Sequence, residues 1–151
     1  MKHLHGEAQA AVGVPIEECL ELLADLEAYP SWYPDVVTEV EVVEYGDDGL
    51  PVRAETKLHL SYGPVSRDLD LLLAVHVRRP SLVQLKHVPR GPSSGASFDA
   101  TWRLNGHAST HLELELDAVM PVPRLVPLGR VGDAYAAGFM QAAAGTLESG
   151  S

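Results

Sequence analysis

The stretch "ASTHLELELDAVM", residues 108–120, decides the fold. Thr110, Leu112, Leu114, Leu116 and Ala118 alternate with His111, Glu113, Glu115 and Asp117. That is the period of two of a β-strand with one covered face and one wet face. The run from Val52 to Leu60 repeats it, with Val52, Ala54, Thr56, Leu58 and Leu60 opposite Arg53, Glu55, Lys57 and His59. Strands of this kind belong to an antiparallel sheet whose apolar face another element must cover.

Turn signals divide the rest of the middle of the chain. Between Val36 and Met120, apolar runs are broken by "YGDDGLP" (45–51), "SYGPVS" (61–66), "RRPS" (78–81), "RGPSSG" (90–95) and "LNGHAS" (104–109). Each is rich in the Gly, Pro, Asn, Asp and Ser that tight connections require. The spacing predicts six consecutive antiparallel strands, preceded by a first strand near His3 to Val12.

The cover comes from the two ends. "VPIEECLELLADL" (14–26) has Pro15 at a helix start, acidic residues in the first turn, and Ile16, Cys19, Leu20, Leu23 and Leu26 at helical spacing. "LEAYPSWYPDV" (26–36) predicts a second short helix. Its ends are set by Pro30, which biases Tyr29 away from helical geometry, and by Pro34, which cannot continue the ladder. From roughly Leu125 to Leu147, Leu128, Val131, Tyr135, Phe139 and Ala142 recur at steps of three and four behind the "PVPRLVP" connector (121–127), as one face of a long helix does. The expected architecture is α+β: a seven-stranded antiparallel sheet, two short helices after strand 1, and a long C-terminal helix round which the sheet wraps.

With 151 residues, residues 1–151 suit one domain with a substantial core. The net charge of −10 argues against binding to nucleic acid or to anionic lipid surfaces, both of which need clustered Lys and Arg. No stretch approaches the ~20 apolar residues that span a bilayer, and no apolar leader is visible at the N-terminus. One cysteine, Cys19, allows no internal disulfide and fits a reducing compartment. A cytoplasmic location is expected.

The element order, the aromatic-proline cluster of Tyr29, Pro30, Trp32 and Pro34, the paired late strands "WRLNGHASTHLELEL" (102–116) and the terminal helix together resemble the START-like (SRPBCC) helix-grip superfamily. The resemblance points to its bacterial polyketide cyclase/dehydrase and coenzyme Q-binding branch and spans nearly the whole chain. It implies an apolar cavity between sheet and long helix that takes a small hydrophobic ligand, such as a lipid, quinone or polyketide.

Candidate site residues follow from strand phase and helix spacing. Val83, Leu85 and His87 face inward if Gln84 and Lys86 face water, which puts an imidazole among apolar neighbours. Arg67 shares a face with Leu69, Leu71 and Leu73, and either caps a pocket or snorkels to solvent. Phe98, Trp102 and Leu104 form the inner face of the next strand, and Tyr135 and Phe139 stand one turn apart on the long helix. The expected ligand-binding set is Tyr33, Trp102, Leu112, Leu114, Tyr135 and Phe139, although packing alone also accounts for most of them. Trp32 reads as core.

No cofactor or metal is expected. His3 and His5, and His107 and His111, share strand faces as metal ligands do, but no Cys, Asp or Glu completes a recognised spacing. Cys19 lies on the packed side of its helix without an adjacent histidine, as an inert thiol does. Two functions remain: carriage or sensing of a hydrophobic molecule, or a polyketide cyclase/aromatase reaction in the same cavity. In the second, Arg67, His87 or Tyr135 polarises a carbonyl during aldol closure and dehydration. Convergence of Arg67 and His87 on one point favours the enzyme. Action through a protein partner is a third option, against which the acidic charge counts if the target is ribosomal.

Overall fold

The alternating run becomes the last of seven strands, and its neighbours are the strands that the pattern requires. The computed structural model describes residues 2–62, 65–89, 96–120 and 131–149. In chain order these form β1 (Lys2–Val12), α1 (Ile16–Ala24), a 3-10 turn (Leu26–Ala28), α2 (Tyr29–Trp32), β2 (Val37–Tyr45), β3 (Pro51–Tyr62), β4 (Val65–Arg78), β5 (Leu82–His87), β6 (Ser97–Gly106), β7 (Thr110–Met120) and α3 (Val131–Ser149). All pairs are antiparallel, and the sheet runs β1-β7-β6-β5-β4-β3-β2. The hairpin meander from β2 to β7 is therefore closed by the first strand, which pairs with the last.

Side chains divide as the period of two demands. Leu112, Leu114 and Leu116 are buried, whereas Glu113 and Glu115 reach solvent on the other face. Val83 and Leu85 of β5, Phe98, Trp102 and Leu104 of β6, and Leu69, Leu71 and Leu73 of β4 share the covered side. The helices cover it, with the 3-10 turn and α2 over β2 and β3. Helix α1 lies over β5 and β6, and α3 runs along β1 and meets β7. At the β1 crossing, Gly6 and Gly132 face each other so closely that a methyl group on either would overlap the other strand's or helix's backbone. Only glycine permits that approach.

Three local expectations are corrected. Tyr29 is helical (φ −54°, ψ −41°) and opens α2. Pro30 then occupies the first turn, where its missing N–H has no partner to lose, so its bias on the preceding residue is overridden. Pro34 does follow the helix end at Tyr33. Ala108 belongs to the turn before β7, and so does His107, which therefore shares no strand face with His111. Leu26 continues the apolar stripe of α1 from the 3-10 turn. The proposed start of the long helix at Leu125, with Leu128, lies outside the described residues, as do "RGPSSG" and the tip of "SYGPVS". Among the described residues no helix is long and apolar enough to cross a membrane.

Candidate functional site

The aromatic cluster after α1 sets one wall of the site. Trp32 is buried, with its ring 4.6 Å from that of Tyr29 and stacked 6.3 Å from Tyr33. Tyr29 is fully enclosed and its hydroxyl donates to the Leu23 carbonyl at 2.7 Å. Burial drives the Tyr29 phenol far above its ordinary pKa, against a small opposing pull from the Trp102 indole. The indole nitrogens of Trp32 and Trp102 have no hydrogen-bond partner among the described residues. Both tryptophans belong to the buried core cluster.

Tyr33 differs. It is half-buried at the end of α2, and its ring meets Phe139 of α3 edge-on at 4.6 Å. Phe139 in turn lies 6.1 Å from Phe98 on the sheet. The Tyr33 hydroxyl sits in the notch that Gly138 leaves on α3, where a Cβ would overlap it. Burial, then the nearby Asp35 and Tyr135, raises the Tyr33 phenol above its usual range. Gly138 was legible in the sequence only as an unexplained glycine inside a helical pattern, a sign of close approach whose partner the sequence does not name.

Tyr135 stands one turn before Phe139 on α3. Its hydroxyl donates to the Ser61 carbonyl at 2.6 Å and accepts from the Ser61 N–H at 2.5 Å, which ties the first turns of α3 to the end of β3. So Tyr33, Tyr135 and Phe139 of the expected ligand set gather at one rim, together with Phe98. Trp102, Leu112 and Leu114 are buried, as Phe98 and Phe139 are, with Leu114 opposite Trp102 in the ladder.

Of the candidate catalytic groups, Arg67 and His87 mark different points along β4, whereas Tyr135 bonds Ser61, which pairs with Ser66 beside Arg67. Arg67 stands opposite Leu60 on β3, exposed, with its guanidinium donating to the neighbouring Ser66 carbonyl. His87 is half-buried at the end of β5, opposite Leu73. Arg67 and Leu73 are separated by six residues of one strand, roughly 20 Å at the rise of a β-strand. Arg67 is exposed, as a snorkelling side chain is, and its position on β4 is well removed from that of His87's partner Leu73.

The histidines fare differently from their expectation. The sequence offered no acid at a recognised spacing from His3 and His5, but pairing of β1 with β7 places Asp117 opposite His5 and Glu115 opposite Glu7. His5 Nδ1 and His3 Nε2 both reach one carboxylate oxygen of Asp117, at 2.9 and 3.3 Å. The Asp117 contact holds the His5 imidazole above its usual pKa. Cys19 is buried and without a histidine partner among the described residues, and burial pushes its thiol up, as expected of an inert residue.

No family model matches the chain, and no curated protein matches it in sequence. Solved structures do match in shape. A START superfamily protein from Mycobacterium smegmatis aligns at TM-score 0.70 and 19% identity, over 99% of this chain and 100% of that one. The Zhui aromatase/cyclase from a Streptomyces species aligns at 0.70 and 19%, over 97% and 94%. A Thermus thermophilus protein aligns at 0.70 and 15%, over 97% and 99%. The chain has the START-like helix-grip fold.

Proposed function

We propose that this helix-grip chain acts as one binding domain, a carrier or sensor for a small hydrophobic molecule that enters at the rim formed by Tyr33, Phe98, Tyr135 and Phe139 and lies between α3 and the sheet. The observation that carries the reading is the placement of Tyr33. It is a half-buried aromatic wedged between α2 and α3, with its hydroxyl over a glycine notch and on no acceptor among the described residues. The ring is held by stacking on Trp32 and an edge contact with Phe139, so a ligand that displaces it would enter a space bounded by aromatic and aliphatic side chains. Such a site suits a ligand that is mostly apolar with few polar groups.

The likeness to an aromatase/cyclase fold keeps the polyketide reading as the alternative, in which the same pocket folds a poly-β-ketone for aldol closure. That chemistry needs a donor beside the reacting carbonyl, and the separation of Arg67 from His87 counts against a shared one. The test is direct. Ubiquinone analogues, fatty acids and polycyclic aromatics are titrated while tryptophan fluorescence and melting temperature are followed. Binding by any class quenches the fluorescence and raises the melting temperature, as a ligand of the folded state alone must. Failure of all three classes in both assays means that the rim aromatics are core.

A further inference from the structure

The face of the sheet turned away from α3 carries a second cluster with its own chemistry. In β1 the outward residues include His3, His5 and Glu7, and in β7 they include Glu115 and Asp117. Their register puts Glu7 directly opposite Glu115, a like-charge cross-strand pair that is unfavourable in isolation. Glu7 has no lysine or arginine partner among the described residues, and Glu115 has only a distant one, Arg103 at 4.0 Å. His5 is the group between them, with its Nε2 3.9 Å from a Glu7 oxygen.

The tautomer of His5 is fixed by its neighbour. A carboxylate is only an acceptor, so the 2.9 Å contact to Asp117 requires the proton on Nδ1. In the neutral imidazole that leaves Nε2, which lies 3.9 Å from a Glu7 oxygen, as the lone-pair nitrogen. A ligating histidine characteristically shows this arrangement, in which a carboxylate on the far ring nitrogen orients the ring and raises its basicity. His5, Glu7 and Glu115 each offer one donor atom, and these atoms lie within 4.8 Å of one another. Tetrahedral ligands at zinc-like bond lengths stand about 3.4 Å apart, a difference that rotation of two glutamate side chains closes. The backbone beneath does not move freely. Gly6 is pinned against Gly132, and the Glu7 N–H donates to the Asp133 carboxylate at 3.1 Å.

We propose that His5, Glu7 and Glu115 bind one borderline divalent cation, of the zinc or cobalt kind, on the outer face of β1 and β7, with Asp117 positioning His5. One imidazole and two carboxylates form a mixed nitrogen and oxygen set, which suits such ions better than calcium or magnesium. Bound there, the cation turns the Glu7–Glu115 repulsion into a bridge between the first and last strands. The site lies across the sheet from the proposed ligand rim and is independent of that function.

The chain, stripped of metal by chelation, is titrated with zinc chloride alone by calorimetry near neutral pH. Cobalt(II) absorption provides a second readout of ligand number. The expected result is saturation at one ion per chain with micromolar affinity. His5→Gln and Glu115→Gln should each weaken binding by about tenfold or more, and Asp117→Asn by about 10- to 100-fold. His59→Gln, which removes the separate His59–Asp68 pair, should leave binding unchanged. All four side chains are exposed or half-exposed on the outer face, and circular dichroism verifies that each variant is folded. Absence of saturable binding at millimolar zinc, or unaltered affinity in His5→Gln and Glu115→Gln, overturns the proposal.

Discussion

The Tyr33 hydroxyl occupies the space that a side chain at position 138 would need, so Gly138 of α3 and Tyr33 at the end of α2 are fitted to each other. The relationship joins a loop residue to a helix residue across the rim of the proposed site. It also makes the rim testable without knowledge of the ligand.

Gly138→Ala should destabilise the protein by about 1–3 kcal/mol, the usual cost of overpacking, although alanine is the better helix former by about 1 kcal/mol. Tyr33→Phe in that background should recover much of the loss, because the overlapping oxygen is gone. Chemical denaturation of the two single variants and the double variant measures the coupling. Additive effects would mean that the two residues do not meet.

Tyr135→Phe should lower stability by about 1 kcal/mol, since one hydroxyl serves both the N–H and the carbonyl of Ser61. The signature is local: amide exchange at Ser61 should speed up while affinity for an apolar ligand stays the same. A large fall in affinity with unchanged exchange would place the hydroxyl on the ligand instead.

Tyr29 gives a pH dependence with a definite sign. Its phenol is held well above the ordinary value of 10.0 in the folded chain, whereas the unfolded chain loses that proton near 10. Above this point the unfolded state binds fewer protons, so stability falls as pH rises, by up to about 1.4 kcal/mol per pH unit from this group. Below it the group contributes no slope. Tyr29→Phe should remove this part of the alkaline slope and cost about 1–3 kcal/mol at neutral pH, by leaving the buried Leu23 carbonyl unpaired. Urea unfolding between pH 7 and 11 reads both effects.

Arg67→Ala should leave stability within about 0.5 kcal/mol of the parent, as expected for an exposed side chain that, among the described residues, bonds only its own strand. Neither Arg67→Ala nor His87→Ala should alter turnover of a poly-β-ketone substrate, because the carrier reading predicts none in the parent. Cyclised product formed by the parent and reduced by ~100-fold in either variant would establish the enzyme.

The sequence by itself determined the architecture, because its signals are local. Alternation in Thr110–Met120 and Pro51–Tyr62 says which residues face inward whatever the partner strands, and the stripe of Ile16, Cys19, Leu20 and Leu23 says which face of α1 is covered. Which side chains meet was decided only by the tertiary structure. His5 and Asp117 stand 112 positions apart and touch because the first strand pairs with the last. Tyr33 finds Gly138 because α2 and α3 close over one end of the sheet. Arg67 and His87, both legible as inward-phase residues, are kept apart because β4 is long and they mark different points along it. Periodicity fixes the direction of a side chain, whereas its neighbours depend on register and on the packing of helices against the sheet, and both are set by contacts between distant parts of the chain.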